Sequence, residues 1–544
     1  MAAQPVTAST LAEWLVDGRE LALLDAREEG TFSRRHLFHA ACIPLSQLEL
    51  VLEARVPRRS TRVVWCDDGT GLAERAAARA EELGWSGCHT LTGGIDAWAE
   101  NGGELYSGVN VPSKAFGEFV ETTYGTPHIS ATELRALLDG QTTGAVPPVV
   151  VLDSRPMGEF RRRSIPTGID CPGAELVHRV KEVVTDPDTL VVVNCAGRTR
   201  SIIGAQSLVN AGIENRVVAL ENGTMGWELA GFGVASGAEE HAPDPGKSAE
   251  AWAAQAAADV GRRFGVRTID ADTLAQWQAD ESRTTYLLDV RTDAEFEAGH
   301  LVGSAHAPGG QLVQATDEYV ATRGARLALV DDNGVRATMT ASWLRQLGWA
   351  DAVVFGGGVD AAAEEVAVVK GKVARSQLAR VSVPTIRPPA LAERLAQGNV
   401  TVIDVGTSVK YRRRGHIPGS WWAIRSRMDH ARAAIGESDT IVLTSTDGTL
   451  AKLAVADAAA HWPEAEILAL TAGNKGWRHA GLDMEPGFER ATTTPDDVWY
   501  KPYDHDAEVA AKHMQDYLTW EVALVAQIER DPTVSFPTEF TQAD

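Results

Sequence analysis

Short apolar runs bounded by Gly, Pro and Asp recur along the chain. Four of them end in aspartate: LALLDAR with Asp25, VVVLDSR with Asp153, YLLDVR with Asp289 and VTVIDVG with Asp404. Each is followed by a second apolar run that opens into a Gly-containing turn, RVVWCDDG, LVVVNCAGR, LALVDDNG and TIVLTSTDG. A Gly-rich turn and a helix start then close each copy, in LTGGIDAW, LENGTMGW, VFGGGVDA and LTAGNKGW. The Gly-x-x-x-Trp step pairs Gly94 with Trp98, Gly223 with Trp227 and Gly473 with Trp477, while Ala361 stands at the tryptophan position of the third copy. Three motifs in one fixed order mark a tandem repeat. The apolar runs read as buried parallel strands, and helical patterns such as GLAERAAARAEELGW and TMTASWLRQLGW lie between them. This alternation predicts an α/β protein of four domains, each a small doubly wound parallel sheet flanked by helices. The copies fall at residues 1–106, 127–237, 266–367 and 383–487, with an Ala-rich helix, AEAWAAQAAADVGRRF, in the connector at 238–265. Residues 491–544 belong to no copy. There Met514, Tyr517, Leu518, Leu524, Val525 and Ile528 predict a helix over 506–530. It reads as a clamp on the last domain, with a homodimer contact as the alternative.

Charge narrows the functions open to such a chain. Lys and Arg number 51 against 74 Asp and Glu, a net charge of −23. A surface this acidic repels nucleic acid and anionic membranes, so any anion site must be a local basic pocket. The opening MAAQPVTASTLAEWLVDG has neither a basic region nor an apolar core, so export is not expected. The five cysteines, Cys42, Cys66, Cys88, Cys171 and Cys195, form neither a disulfide framework nor a CxxC metal pair, which fits a reducing cytoplasm. His300 and His416 have no neighbouring ligand residues, so neither a metal nor a cofactor is expected.

The chemistry concentrates in the second copy. The strand LVVVN delivers Cys195 into AGRTR, and Ser201 begins the helix SIIGAQSLVNAG. A thiol at the carboxyl end of a parallel strand faces the crevice where such folds bind ligands. A turn running into a helix N-terminus aims backbone N–H groups and partial positive charge inward. Arg198 and Arg200 add cations, so Ala196, Gly197, Arg198, Thr199, Arg200 and Ser201 form a cradle for a small anion that keeps Cys195 ionised. Asp153 and Arg155 read as a structural ion pair. Of Arg161, Arg162 and Arg163, Arg163 is an auxiliary candidate for extending the positive field.

These motifs together resemble the rhodanese (sulfurtransferase) family in a four-domain tandem form. The resemblance rests on Asp-x-Arg at Asp25/Arg27, Asp153/Arg155 and Asp289/Arg291, on GHLVGSA and GHIPGSW, on NCAGRTRS and on the late Gly-x-x-x-Trp. It implies that Cys195 takes a sulfane sulfur from a small anionic donor, holds it as a persulfide and passes it to cyanide, a thiol or a protein. The cationic loop points to thiosulfate over mercaptopyruvate. At the Cys195 position the other copies are matched to Cys66, Asp331 and Ser445. The third and fourth domains are therefore expected to be inactive, and Cys66, beside Asp67 and Asp68, is a remnant or an auxiliary thiol. Cys42 and Cys88 read as core, and Cys171 as a loop residue near the site rim. The phosphatases that share this fold need an arginine where Ser201 stands, which counts against that chemistry. A scaffold of inactive modules is the other alternative, and the intact second loop argues against it.

Overall fold

The computed structural model describes residues 3–142, 144, 146–359, 366–373 and 381–540. Ala361, matched to a repeat tryptophan, lies outside the described residues. Among the described residues each copy has a sheet whose own five strands run parallel in one common order. In the second, His128–Ile129, Val217–Leu220, Leu190–Asn194, Val149–Asp153 and Ile169–Asp170 lie side by side, all parallel. The central strand is buried throughout, as its unbroken apolar run requires. Helices cover both faces of each sheet over separate apolar clusters, such as those containing Leu176 and Trp227 in the second copy.

The strand-end aspartates are tied down in the same way in three copies. Arg155 binds Asp153 in a fork, at 2.8 and 2.7 Å, and also donates to the Arg163 carbonyl at 2.6 Å. Arg27 and Arg291 repeat both links, to Arg35 and Gly299. The repeat tryptophans Trp98, Trp227 and Trp477 each donate their indole N–H to a carbonyl just past the helix, those of Glu104, Gly233 and Asp483.

The four domains associate as two pairs, first with fourth and second with third. Between the second and third, Gly173 and Gly310 meet so closely that a Cβ on Gly310 would lie 2.9 Å from the Gly173 nitrogen. Arg336, 1% exposed, pairs with Glu175 at 2.9 Å beside them. The Ala-rich connector forms the helix Lys247–Arg263, whose Ala253, Ala256, Ala257 and Val260 share one core with Leu176 and Met339. The same edges meet in the other pair, where Arg425 binds Glu49 at 2.6 Å and Glu28 accepts from Ser46 and Ser426, both at 2.9 Å. A strand of the third copy, Thr322–Arg323, also adds antiparallel to the first sheet beside Leu21–Asp25.

The C-terminal helix runs Ala507–Ile528, close to its expected bounds. It does not clamp the last domain. It packs against the helix Val111–Tyr124, which occupies the first connector, and against the Cys195 loop. Helical spacing fixed which face is apolar but not which surface it covers.

Burial pushes the Glu28 carboxyl from its ordinary 4.5 up to about 7, against hydrogen bonds from Ser46 and Ser426. An acid with a raised folded-state pKa binds more protons when folded. Stability from this contact is therefore present below about 4.5 and lost as pH rises through about 7. Glu28→Gln should flatten that decline and raise stability at pH 8 by roughly 1–3 kcal/mol. Tm at pH 5 and pH 8 reads this out; an unchanged pH dependence in the variant would assign the decline elsewhere.

Candidate active site

Strand register fixes which residues are equivalent at the loop. Asp25, Asp153, Asp289 and Asp404 pair with Cys66, Asn194, Val330 and Thr444. The loop position immediately after is therefore Asp67, Cys195, Asp331 and Ser445. Backbone bonds agree: the carbonyls of these four residues accept from Ile95, Thr224, Val359 and Asn474 N–H, at 2.8 to 3.0 Å. Cys66 thus corresponds to Asn194, a core strand position, and not to Cys195. It is fully buried, and burial holds its thiol far above the ordinary range.

The equivalent residues reveal what the loop binds. Asp67 accepts from Gly69 N–H at 2.9 Å and Ala73 N–H at 3.1 Å. Asp331 accepts from Gly334 N–H at 2.6 Å and Ala337 N–H at 3.1 Å, and the Ser445 hydroxyl from Ala451 N–H at 3.3 Å. In the first and third copies a carboxylate of the chain itself occupies the amide cradle. The same geometry around Cys195 brings Ser201 alongside the sulfur, with Sγ to Oγ at 3.6 Å.

The glycine just before each of these N–H donors lies under the loop at positive φ: 58° at Gly94, 54° at Gly223, 69° at Gly358 and 53° at Gly473; in the third copy it is Gly358, one position later than the match of Ala361 to a repeat tryptophan implied. A Cβ there would meet a loop carbonyl oxygen at 2.3, 2.5, 2.1 and 2.1 Å. No other residue type can fill the position without displacing the loop.

Cys195 is 2% exposed. The sequence predicts an ionised sulfur; burial works against that by pushing the thiol above its ordinary value, while Arg200 and Ser201 oppose the shift and Glu521 adds to it. The two arginines divide. Arg200 acts on the sulfur while bound to Glu159 at 2.9 Å and Gln311 at 3.0 Å. Arg198 forks onto Glu118 at 2.7 and 2.8 Å and also pairs with Glu121, so its charge is consumed in anchoring the loop to the helix Val111–Tyr124. Thr199 donates to Glu521 at 3.2 Å. Gly197 faces Tyr517 and Glu521, and Ala196 packs with Met225 and Met514.

A cavity of about 20 Å³ adjoins Ala196, between Arg155, Glu159, Arg163, Tyr503 and Met514. That is the room of one water. Arg163 lines it while paired with Glu228. Arg161 instead pairs with Glu239 at the surface. Cys171 is fully buried, with its thiol pushed well up by burial.

Sequence reasoning missed Lys114, Glu118, Tyr517 and Glu521. Lys114, 3% exposed, sits over the rings of Trp499, Tyr517 and Trp520, at 5.2, 4.9 and 4.9 Å from their centroids. Burial lowers it to about 8 and raises Glu118 to about 7. A charged residue on an apolar helical face, as in AFGEFVE, was the available signal.

The Rhodanese-like domain family matches residues 7–101, 130–230, 270–365 and 387–480. The chain belongs to the rhodanese family. A crystal structure of a thiosulfate sulfurtransferase from Pseudomonas aeruginosa is 45% identical, covering 98% of this chain and 99% of that one, with a TM-score of 0.92. A probable adenylyltransferase/sulfurtransferase, MoeZ, from two Mycobacterium tuberculosis strains is 36% identical over 96 residues, 18% of this chain. The match spans 24% of the length of MoeZ. This rhodanese is a sulfurtransferase built of four repeats, and among the described residues no helix is long and apolar enough to cross a membrane.

Gly223→Ala should distort the Cys195 loop, costing more than ~2 kcal/mol and most of the sulfurtransferase activity. Gly473→Ala should cost similar stability and leave activity largely intact. Thermal unfolding with a transfer assay on both variants checks the pair; equal activity losses would sever the link between this glycine and the second loop.

Proposed function

We propose that this rhodanese moves a sulfane sulfur from thiosulfate to cyanide or a thiol through a persulfide on Cys195. The observation that carries this reading is the four-way equivalence at the loop. One copy has a thiol where two others have carboxylates held by loop amides, so the cradle suits a negatively charged atom at that point. A persulfide anion on Cys195 would meet the same donors, with Arg200 adding charge. A nucleophile that splits the transfer into two steps gives ping-pong kinetics, and the loop amides stabilise the charge that develops. Ala196, Gly197, Arg198, Thr199, Arg200 and Ser201 form the cradle on this reading. The copies bearing Asp67, Asp331 and Ser445 carry no sulfur.

The choice of thiosulfate leans on Arg200 and on the likeness to the Pseudomonas aeruginosa enzyme. Thiosulfate is larger than the single water that fits beside Ala196, so on this reading the closed site opens to admit it. Incubation with thiosulfate should add one sulfur to the peptide holding Cys195, read by intact-protein and peptide mass spectrometry. Cys195→Ser should abolish thiosulfate:cyanide transfer, and Cys66→Ser should retain most of it. A sulfur adduct elsewhere, or equal loss in both variants, would overturn the assignment.

A further inference from the structure

Glu521 reaches the Cys195 loop from a residue 322 positions beyond Thr199 and is 1% exposed. One carboxylate oxygen, Oε1, accepts from the Thr199 hydroxyl at 3.2 Å and the Tyr517 hydroxyl at 2.9 Å. The other, Oε2, is buried without a hydrogen-bond partner. It lies 3.2 Å from the point a Cβ on Gly197 would occupy, so the absent side chain there is what lets a free oxygen face the loop. Leaving such an atom unmet is unfavourable, and that is relieved once the loop presents it with a proton donor. The loop also holds a thiol that must lose a proton to react.

We propose that Glu521 carries the proton of the transfer: its free oxygen takes the Cys195 thiol proton as the sulfur attacks and returns it to the departing half of the donor. This rests on the Cys195 persulfide reading. With thiosulfate, a bond forms between Sγ and the sulfane sulfur, and the donor's own S–S bond breaks. Its electron pair leaves on sulfite, which takes the proton through Glu521. The products are a Cys195 persulfide anion and hydrogen sulfite, and no oxidant or reductant is consumed.

The groups around Glu521 suit this exchange. Lys114 and Glu118 approach from the helix Val111–Tyr124, Arg198, Thr199 and Cys195 from the loop, and Tyr517 from its own helix, with Arg200 and Glu121 beyond. Burial holds Glu521 above the ordinary carboxylate range, while Lys114, Tyr517 and Arg198 oppose. Burial moves the acid towards neutral pH, where a carboxyl group can both take and give a proton, while the thiol it must serve is held above its ordinary value and needs a base. The Tyr517 hydroxyl fixes Oε1, leaving Oε2 to act.

The test is the rate of one-sulfur gain on full-length protein mixed with thiosulfate, followed by rapid-quench mass spectrometry between pH 5 and pH 9. Wild type should slow as pH falls through the Glu521 titration. Glu521→Gln should lose about 100-fold in persulfide formation and that acid limb with it, and Glu521→Asp should regain part of both. Tyr517→Phe keeps the carboxylate but removes a bond to it, so its acid limb should move to higher pH. That variant decides the matter if Glu521→Gln fails to fold. Charging of Glu521→Gln at the wild-type rate with an unchanged pH profile overturns the proposal, as does an unmoved limb in Tyr517→Phe. Wild type that gains no sulfur at Cys195 removes the underlying reading as well, a pattern distinct from wild type and variant charging alike.

Discussion

The turn between the central strand and its helix converges backbone N–H groups on one point, and that point has to be filled by an atom able to accept them. Everything else in each copy serves this constraint. In three copies the strand-end aspartate and its arginine fix the neighbouring strand, and in all four a left-handed glycine lies hard under the loop carbonyls. In two copies the constraint is met by an aspartate and in one by a serine, while in the second copy a sulfur stands at that point beside the Ser201 hydroxyl. A carboxylate meets it permanently. A thiol leaves it half met, since the neutral sulfur donates to Ser201 and takes full advantage of the amides only when charged. That residual demand is the driving force available for forming a persulfide anion.

Burial works against the same demand. Desolvation disfavours any charge on Cys195, and the C-terminal helix supplies much of that burial through Tyr517, Leu518 and Glu521. Arg200 opposes it, but Arg200 is itself balanced by Glu159, whose carboxyl burial would raise and Arg200 instead holds at about 2. The cations nearest the buried thiol are therefore paired off, Arg200 with Glu159 and Arg198 with Glu118 and Glu121. In a molecule of net charge −23, this pairing keeps the site's cations from being spent on distant carboxylates.

The repeat, its sheets and the nucleophile's place at a strand end were legible because they depend on local patterns: apolar runs, turn glycines, a helix start. The errors have a common cause. Matching Cys66 to Cys195 by residue type moved the first copy by one position, whereas counting from Asp25 along the paired strands lands on Asp67. Arg198 was read as a free cation because its partners, Glu118 and Glu121, lie in a connector that carries no repeat motif. Glu521 was invisible for the same reason. The spacing of Met514, Leu518 and Leu524 shows an apolar face, but nothing local says that this face closes on a loop more than half the chain away.

The copies without a thiol account for how so remote a helix finds the site. The fourth holds the beginning of the tail, where Asp497 accepts from Ser408 and Asp504 pairs with Arg413 at 2.6 Å. The first holds it at both sides of the helix: Glu29 accepts the Trp499 N–H at 2.9 Å, and Tyr106 and Glu104 bind Asp531 and Arg530 at 3.1 and 3.0 Å. The third reaches in directly, with Gln311 on Arg200. Each anchor is a polar contact made by a repeat that bears no thiol at its loop, buried at Ser408 and Tyr106 and at the surface at Arg413 and Arg530. A single rhodanese domain could supply the cradle, but not the carboxylate above it. Four domains in two pairs make a frame around one reactive loop, and the positions of Glu521, Tyr517 and Arg200 are properties of that frame.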